Sequence, residues 1–377
     1  MAALQAAVSS QLAISFFSSL IVPGAEKNVV CSPLSISSAL ALVAAGSRGK
    51  TLKEIADALN WREDADGLAK ALLAEAEKAA QNCDASCPVK TANNVWVDNE
   101  FKILDSYRDL LKSFAVNVGK ADFKKHSSDE TIKINSWIED HTNKKIRDFF
   151  PPGELSEATK AVLVNALYFK GKWAEPFDME STRDDTFHVS NSKEVQVKMM
   201  YHSAELKYFM DENSKCDLVE LPYSSKAFSM MLIVPHEVEG LSAVQSSLSL
   251  SQVSGWISNV QSAAPQTVDV FLPRFKVSQK VNMKDNLKSL GINDMFSMQA
   301  NLSGIAGSHD LFVSSAIHQA VIEVNEEGTE AAAATGFGVN FMSMPMQVRA
   351  DKPFLFLIIS NVTKSILFIG KIANPAA

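Results

Sequence analysis

The second half of this chain is a succession of apolar, strand-forming segments, and they demand large sheets. Residues 162–171 (VLVNALYFKG) form an apolar run closed by glycine. Residues 218–223 (LVELPY) and 228–235 (FSMMLIVP) flank the turn at 224–227 and read as a hairpin. Residues 268–277 (VDVFLPRFKV) alternate around Pro273. Residues 354–360 (FLFLIIS) and 364–372 (KSILFIGKI) make a second hairpin through Asn361-Val362-Thr363, and 354–359 reads as a buried strand.

Helical patterns dominate the first third. Residues 39–45 read as a buried helix segment stopped by Gly46, and 46–49 as a turn between helices. Thr51-Leu52-Lys53-Glu54 has the form of a capping box leading into TLKEIADALNW. Residues 64–81 are rich in Ala, Leu, Glu and Lys, all strong helix formers. Residues 132–150 carry helical apolar spacing at Ile134, Trp137 and Ile138, and Pro151-Pro152-Gly153 is a stop. Helices first and strands later, without regular βαβ alternation, predict an α+β fold with large antiparallel sheets. Length alone would suggest two or three domains, yet neither a repeat nor a low-complexity linker divides the chain.

Composition excludes several classes of function. Lys and Arg number 36 against 43 Asp and Glu, a net charge of -7, which argues against general nucleic-acid binding. No apolar run reaches the eighteen or so residues of a membrane-spanning helix. The N-terminal stretch lacks a basic leader and suits an amphipathic helix. The expectation is therefore a cytoplasmic or unconventionally secreted chain, extracellular if it has been trimmed. Cys31, Cys83, Cys87 and Cys216 are too scattered for a disulfide framework. Cys83 and Cys87 are a local bridge, half a metal site or two free thiols. Asn301 and Asn361 open formal glycosylation triplets. The GxSxG, HExxH, GxGxxG and GxxxxGK[ST] motifs are all missing, and the seven His form no pair at metal spacing. No catalytic residue, metal or cofactor is expected.

Residues 323–349 (EVNEEGTEAAAATGFGVNFMSMPMQVR) stand apart. From Thr329, alternate positions carry Thr, Ala, Ala, Thr, Phe, Val and Phe, while the intervening set is mostly small or polar. That is the period of a half-buried strand, although Ala and Gly are poor strand formers. The segment is either a flexible linker or a loop able to slip between strands. A charge at Ala331 or Ala333 would oppose the second use, because a buried unpaired charge is expensive.

The residues resemble the serpin family over nearly the whole chain and in order. The carrying segments are 28–55 (NVVCSPLSISSALALVAAGSRGKTLKEI), 134–150 (INSWIEDHTNKKIRDFF), 162–177 (VLVNALYFKGKWAEPF), LVELPY, FLPRFKV, HQAVIEVNEEGTEAAAATG and ADKPFLFLI. The resemblance implies one domain over 1–377, with three β-sheets, about nine helices and an exposed C-terminal reactive loop at about 326–349. It implies an inhibitor rather than an enzyme. A serine protease attacks the loop, and the cut loop inserts into the main sheet with the protease still attached as an acyl-enzyme in a covalent 1:1 complex. The hinge matches Glu326, Glu327, Gly328, Thr329 and Glu330, followed by Ala331, Ala332, Ala333 and Ala334. Inhibitory members keep small residues there. The scissile bond falls at Met342-Ser343, preceded by Phe341, with a shift to Phe341 or Met344 as the alternative registers. Met suits chymotrypsin-like, cathepsin-G-like or elastase-like proteases, whose primary pockets are apolar, and not trypsin. Ser32, Ser35, Asn165 and His318 match the family's shutter, and Trp173 its aromatic near the insertion point. The helix at 64–81 stands where some members bind heparin but offers only Lys70 and Lys78, so no heparin activation is expected. Lys144 stands where the family often has Gly. A monomer is expected. The alternative is a non-inhibitory serpin acting as carrier, chaperone or storage protein.

Overall fold

The computed structural model describes residues 11–12, 14–22, 24, 26–61, 65–81, 89–114, 116–327 and 345–377. Its strands are β1 (Val29–Cys31), β2 (Val89–Asp98), β3 (Gly119–Ala121), β4 (Ala161–Phe169), β5 (Arg183–Ser190), β6 (Lys193–Asp211), β7 (Cys216–Pro222), β8 (Phe228–Pro235), β9 (Pro265–Pro273), β10 (Phe275–Asn282), β11 (Ser315–Val324), β12 (Met346–Arg349), β13 (Phe354–Ser360) and β14 (Ile366–Ile372). The first helices are α1 (Pro33–Gly46), α2 (Gly49–Ala58), α3 (Ala65–Gln81), α4 (Asp105–Lys112) and α5 (Phe123–His141), followed by others after β8, β10 and Phe296.

One sheet runs β10-β11-β4-β2-β3. Its centre is the parallel pair β11 and β4, with His318 opposite Asn165, while β10 and β2 flank that pair antiparallel. The other strands form a hydrogen-bonded ladder β1-β14-β13-β8-β7-β6-β9-β12, with β5 on β6. The expected second and third sheets meet in this ladder because β6 serves both. Lys193 to Met199 pair with β5, Met199 to Lys207 with β9, and Lys207 to Asp211 with β7.

Both predicted hairpins form, as β7-β8 and β13-β14. All residues of β8, β13 and β14 are buried, which explains why they read as unbroken apolar runs rather than alternating ones. Helix α1 is buried along almost its whole length. It starts from Ser32, whose hydroxyl accepts from the Ser35 N–H at 3.3 Å, with Pro33 in the first turn. Helix α5 packs on β2 through Trp137, whose ring meets Trp96 edge-on at 5.9 Å.

Three local expectations are corrected. The Thr51–Glu54 capping box does not form, because α2 already begins at Gly49 behind Arg48. Thr51 instead donates to Asp294 at 2.5 Å, and Glu54 accepts from the backbone of Asn293 and Asp294. The predicted helix at 132–150 begins at Phe123 and ends at His141, well before the prolines. Asn143 and Lys144 turn into the left-handed region, with φ of 49° and 59°, and the Thr142 hydroxyl bonds back to Ile138. The alternating run at 268–277 is split by Pro273-Arg274 into two strands of different sheets.

Candidate functional site

Two polar clusters lie along the β11 strand, one beneath its middle and one at its end. The first lies between the parallel strands and the start of α1. His318 and Asn165 face each other across the β11-β4 pairing, and both are fully buried. The Ser32 N–H donates to His318 Nε2 at 3.1 Å, so Nε2 carries no proton. The other ring nitrogen, Nδ1, therefore donates to Asn165 Oδ1, at 2.5 Å. The Asn165 amide in turn donates toward Ser35 O at 2.9 Å, Ser35 Oγ at 2.6 Å and Asn93 Oδ1 at 2.6 Å. Burial pushes the His318 pKa down to about 3. The imidazole is thus a neutral bridge joining β11, β4 and the cap of α1. Sequence reading found Ser32, Ser35, Asn165 and His318 but missed Asn93, which the β2-β4 register places opposite Asn165. The repeated Asn93-Asn94, directly before the apolar Val95-Trp96-Val97, was the available signal.

The second cluster sits where β11 ends. Trp173 stacks on Tyr223 at 4.6 Å and donates through Nε1 to the Asn325 carbonyl at 2.8 Å. The Phe177 N–H donates to the Glu326 carbonyl at 3.1 Å. Glu326 is 2% exposed. Its carboxylate accepts from Arg274 Nε and from Thr182 Oγ1, each at 2.5 Å. Burial would raise the Glu326 pKa, but the bonds from Arg274 and Thr182 outweigh it and hold the group ionised, below the ordinary carboxylate value. Arg274 lies within the FLPRFKV segment, but nothing in the sequence marked it or Thr182 as a partner of Glu326. Beyond Glu327, the positions Gly328, Thr329, Glu330, Ala331, Ala332, Ala333, Ala334, Phe341, Met342 and Ser343 lie outside the described residues, as do Cys83 and Cys87.

After Pro345 comes β12, which pairs in parallel with β9. Arg349 anchors that strand by stacking on Phe271 at 4.6 Å and bonding to Asp185 and Asp351. Among the described residues, no group of three His, Cys, Asp or Glu could hold a metal ion, and no helix is long and apolar enough to cross a membrane. Cys31 and Cys216 are free and buried, and burial raises both thiols, to about 12 for Cys216.

A family model described as Serpin (serine protease inhibitor) matches residues 7–375. The chain belongs to the serpin family. It is 35% identical to leukocyte elastase inhibitor from Bos taurus over 98% of this chain and 99% of that one. The structure of uncleaved ovalbumin superposes with a TM-score of 0.89 at 29% identity, covering 98% of this chain and all (100%) of the other. Human thyroxine-binding globulin complexed with its hormone superposes with a TM-score of 0.87 at 26% identity, over 99% of each chain.

Proposed function

We propose that this serpin is a monomeric, single-domain suicide inhibitor of serine proteases with an apolar primary pocket, chymotrypsin-like or elastase-like. The protease serine attacks the Met342 carbonyl, the Met342–Ser343 bond breaks, and the Ser343 amine leaves with a proton from the protease histidine. Met342 stays esterified to the protease while Gly328 to Phe341 enter the five-stranded sheet.

The observation that carries this reading is the parallel β11-β4 pair at the centre of that sheet. A strand that follows β11 and folds back beside it must run opposite to β11, and therefore opposite to β4 as well. Inserted between them, it would replace one parallel pairing with two antiparallel ones, which are slightly stronger per residue. The small side chains from Ala331 to Ala334 suit such a slot. The relative named as an elastase inhibitor supports the target class. In this reading His318, Asn165, Ser32 and Ser35 form the shutter that must rearrange when β11 and β4 part. Trp173 and Glu326 hold the point where insertion begins. The likeness to thyroxine-binding globulin keeps a carrier as the second reading.

Incubation with chymotrypsin, neutrophil elastase and trypsin tests the proposal. The expected result is a denaturation-resistant complex with chymotrypsin or elastase, none with trypsin, and a released peptide beginning at Ser343. Heparin should not accelerate it. Clean cleavage of the loop without a complex would overturn the inhibitor reading in favour of the second.

A further inference from the structure

His202 is a mostly buried imidazole for which the inhibitory mechanism has no use. It lies in β6 opposite Val270 of β9. Its Nε2 is buried and makes no hydrogen bond. Within 4 Å the single carboxylate beside it, among the described residues, is Glu175, at 3.6 Å and 69% exposed. The His202 ring packs on Phe177 at 5.4 Å, and the Phe177 N–H holds the Glu326 carbonyl. Two residues before Glu175, Trp173 holds the Asn325 carbonyl. His202 therefore backs the short segment that fastens the root of the reactive loop.

The other charged groups nearby are already engaged. Asp178 accepts from the Glu180 N–H and the Ser181 hydroxyl. Arg183 donates to the carbonyls of Glu180 and Thr182. Asp269 accepts from Tyr201, and Glu326 is held by Arg274 and Thr182. Glu175 alone is placed to answer a charge on His202.

A neutral ring is tolerated in this site, whereas a cation is desolvated. Burial lowers the His202 pKa below 6.5, and Glu175 opposes that only in part. If residues 173–177 lift away from β6, the ring meets water and regains its ordinary proton affinity. A proton then binds the lifted form more tightly than the seated one, so acid favours lifting.

We propose that His202 is a proton-operated release for the root of the reactive loop. On protonation, 173–177 loosen from β6, the Asn325 and Glu326 carbonyls lose their donors, and the end of β11 opens more readily. Taken with the proposed function, acid would promote insertion of the uncut loop and so spend the inhibitor without a target. The release itself does not depend on that function.

Hydrogen exchange read by mass spectrometry on peptides covering 173–177 and 324–327 tests it, at pH 7.5 and about pH 5, corrected for the intrinsic chemical rate. Opening should rise in acid in both peptides, by about tenfold for each pK unit relieved. His202→Phe keeps a ring against Phe177 and cannot titrate, so the acid response should fall to the part that His318 contributes. Glu175→Gln removes the compensating charge, lowers the seated affinity for the proton further and should enlarge the acid response. An equal acid response in wild type and His202→Phe would overturn the proposal, as would no response in wild type. The effect of His318 would survive in His202→Phe and is thereby separated. Acid release in a protein that traps no protease would leave this inference standing and sink the proposed function; trapping with a flat exchange profile would do the reverse.

Discussion

His318 shows how one residue ties chemistry to stability. Its ring is held neutral because Nε2 is occupied by the Ser32 N–H and burial leaves no water for a cation. The folded pKa of about 3 lies below the ordinary 6.5. Between these values the unfolded chain binds more protons than the folded one. The stabilisation is therefore fully present above pH 6.5 and is lost as pH falls toward 3. The expected loss from this residue is about 2 kcal/mol by pH 5. Urea unfolding of wild type and His318→Gln across this range should show a shallower pH slope in the variant. Parallel slopes would mean that folding does not lower the His318 pKa. Asn165, Ser32 and Ser35 were legible because the family's pattern fixes them. Arg274 and Thr182 were not, because their meaning comes only from Glu326, which lies far away in sequence and is brought between them by β11.

At the level of elements, period and polarity located most strands but misjudged both ends of α5 and the start of α2. β13 and β14 were legible because burial on both faces leaves an unbroken apolar run. The end of α5 was not, because the apolar spacing continues past it through Ile146, Phe149 and Phe150, which are buried by an irregular segment instead. That segment is reached through Asn143 and Lys144 in the left-handed region. Asn tolerates this conformation, and an exposed Lys does so at a cost of about 1 kcal/mol or more. Lys144→Gly should relieve it, and a net gain of about 0.5–1 kcal/mol in chemical unfolding is expected after the greater freedom of the unfolded glycine is counted. Thr51 and Glu54 teach the converse lesson. A capping box is only a pair of hydrogen-bonding side chains, and here tertiary partners claim both.

At the scale of the molecule, sequence and architecture agree on α+β, and the resemblance anticipated three sheets. Periodicity could not have shown that two of them share β6, since a long strand that changes partners keeps its alternation throughout. The proposed function makes a demand on the whole fold: the five-stranded sheet must accept one more strand. Ala333→Asp should leave folding and cleavage by chymotrypsin intact while removing the trapped complex, because a carboxylate carried into that sheet would be buried without a partner. A stoichiometric complex formed by this variant would contradict insertion past that position.

The pairing of β14 between β1 and β13 bears on how the protein is made. Asn28 bonds to the backbone of Asn374, 346 residues away in the chain. β14, the last strand of this fold in chain order, is therefore an interior one, and α1 packs against it. At about 5–20 residues per second, translation delivers α1 well before the strand that completes its cover. Until β14 emerges, the nascent chain holds an apolar helix beside an unfilled gap. A chain stopped short of residue 366 should lack more than a terminal tail; it should fail to bury its centre and accumulate with chaperones.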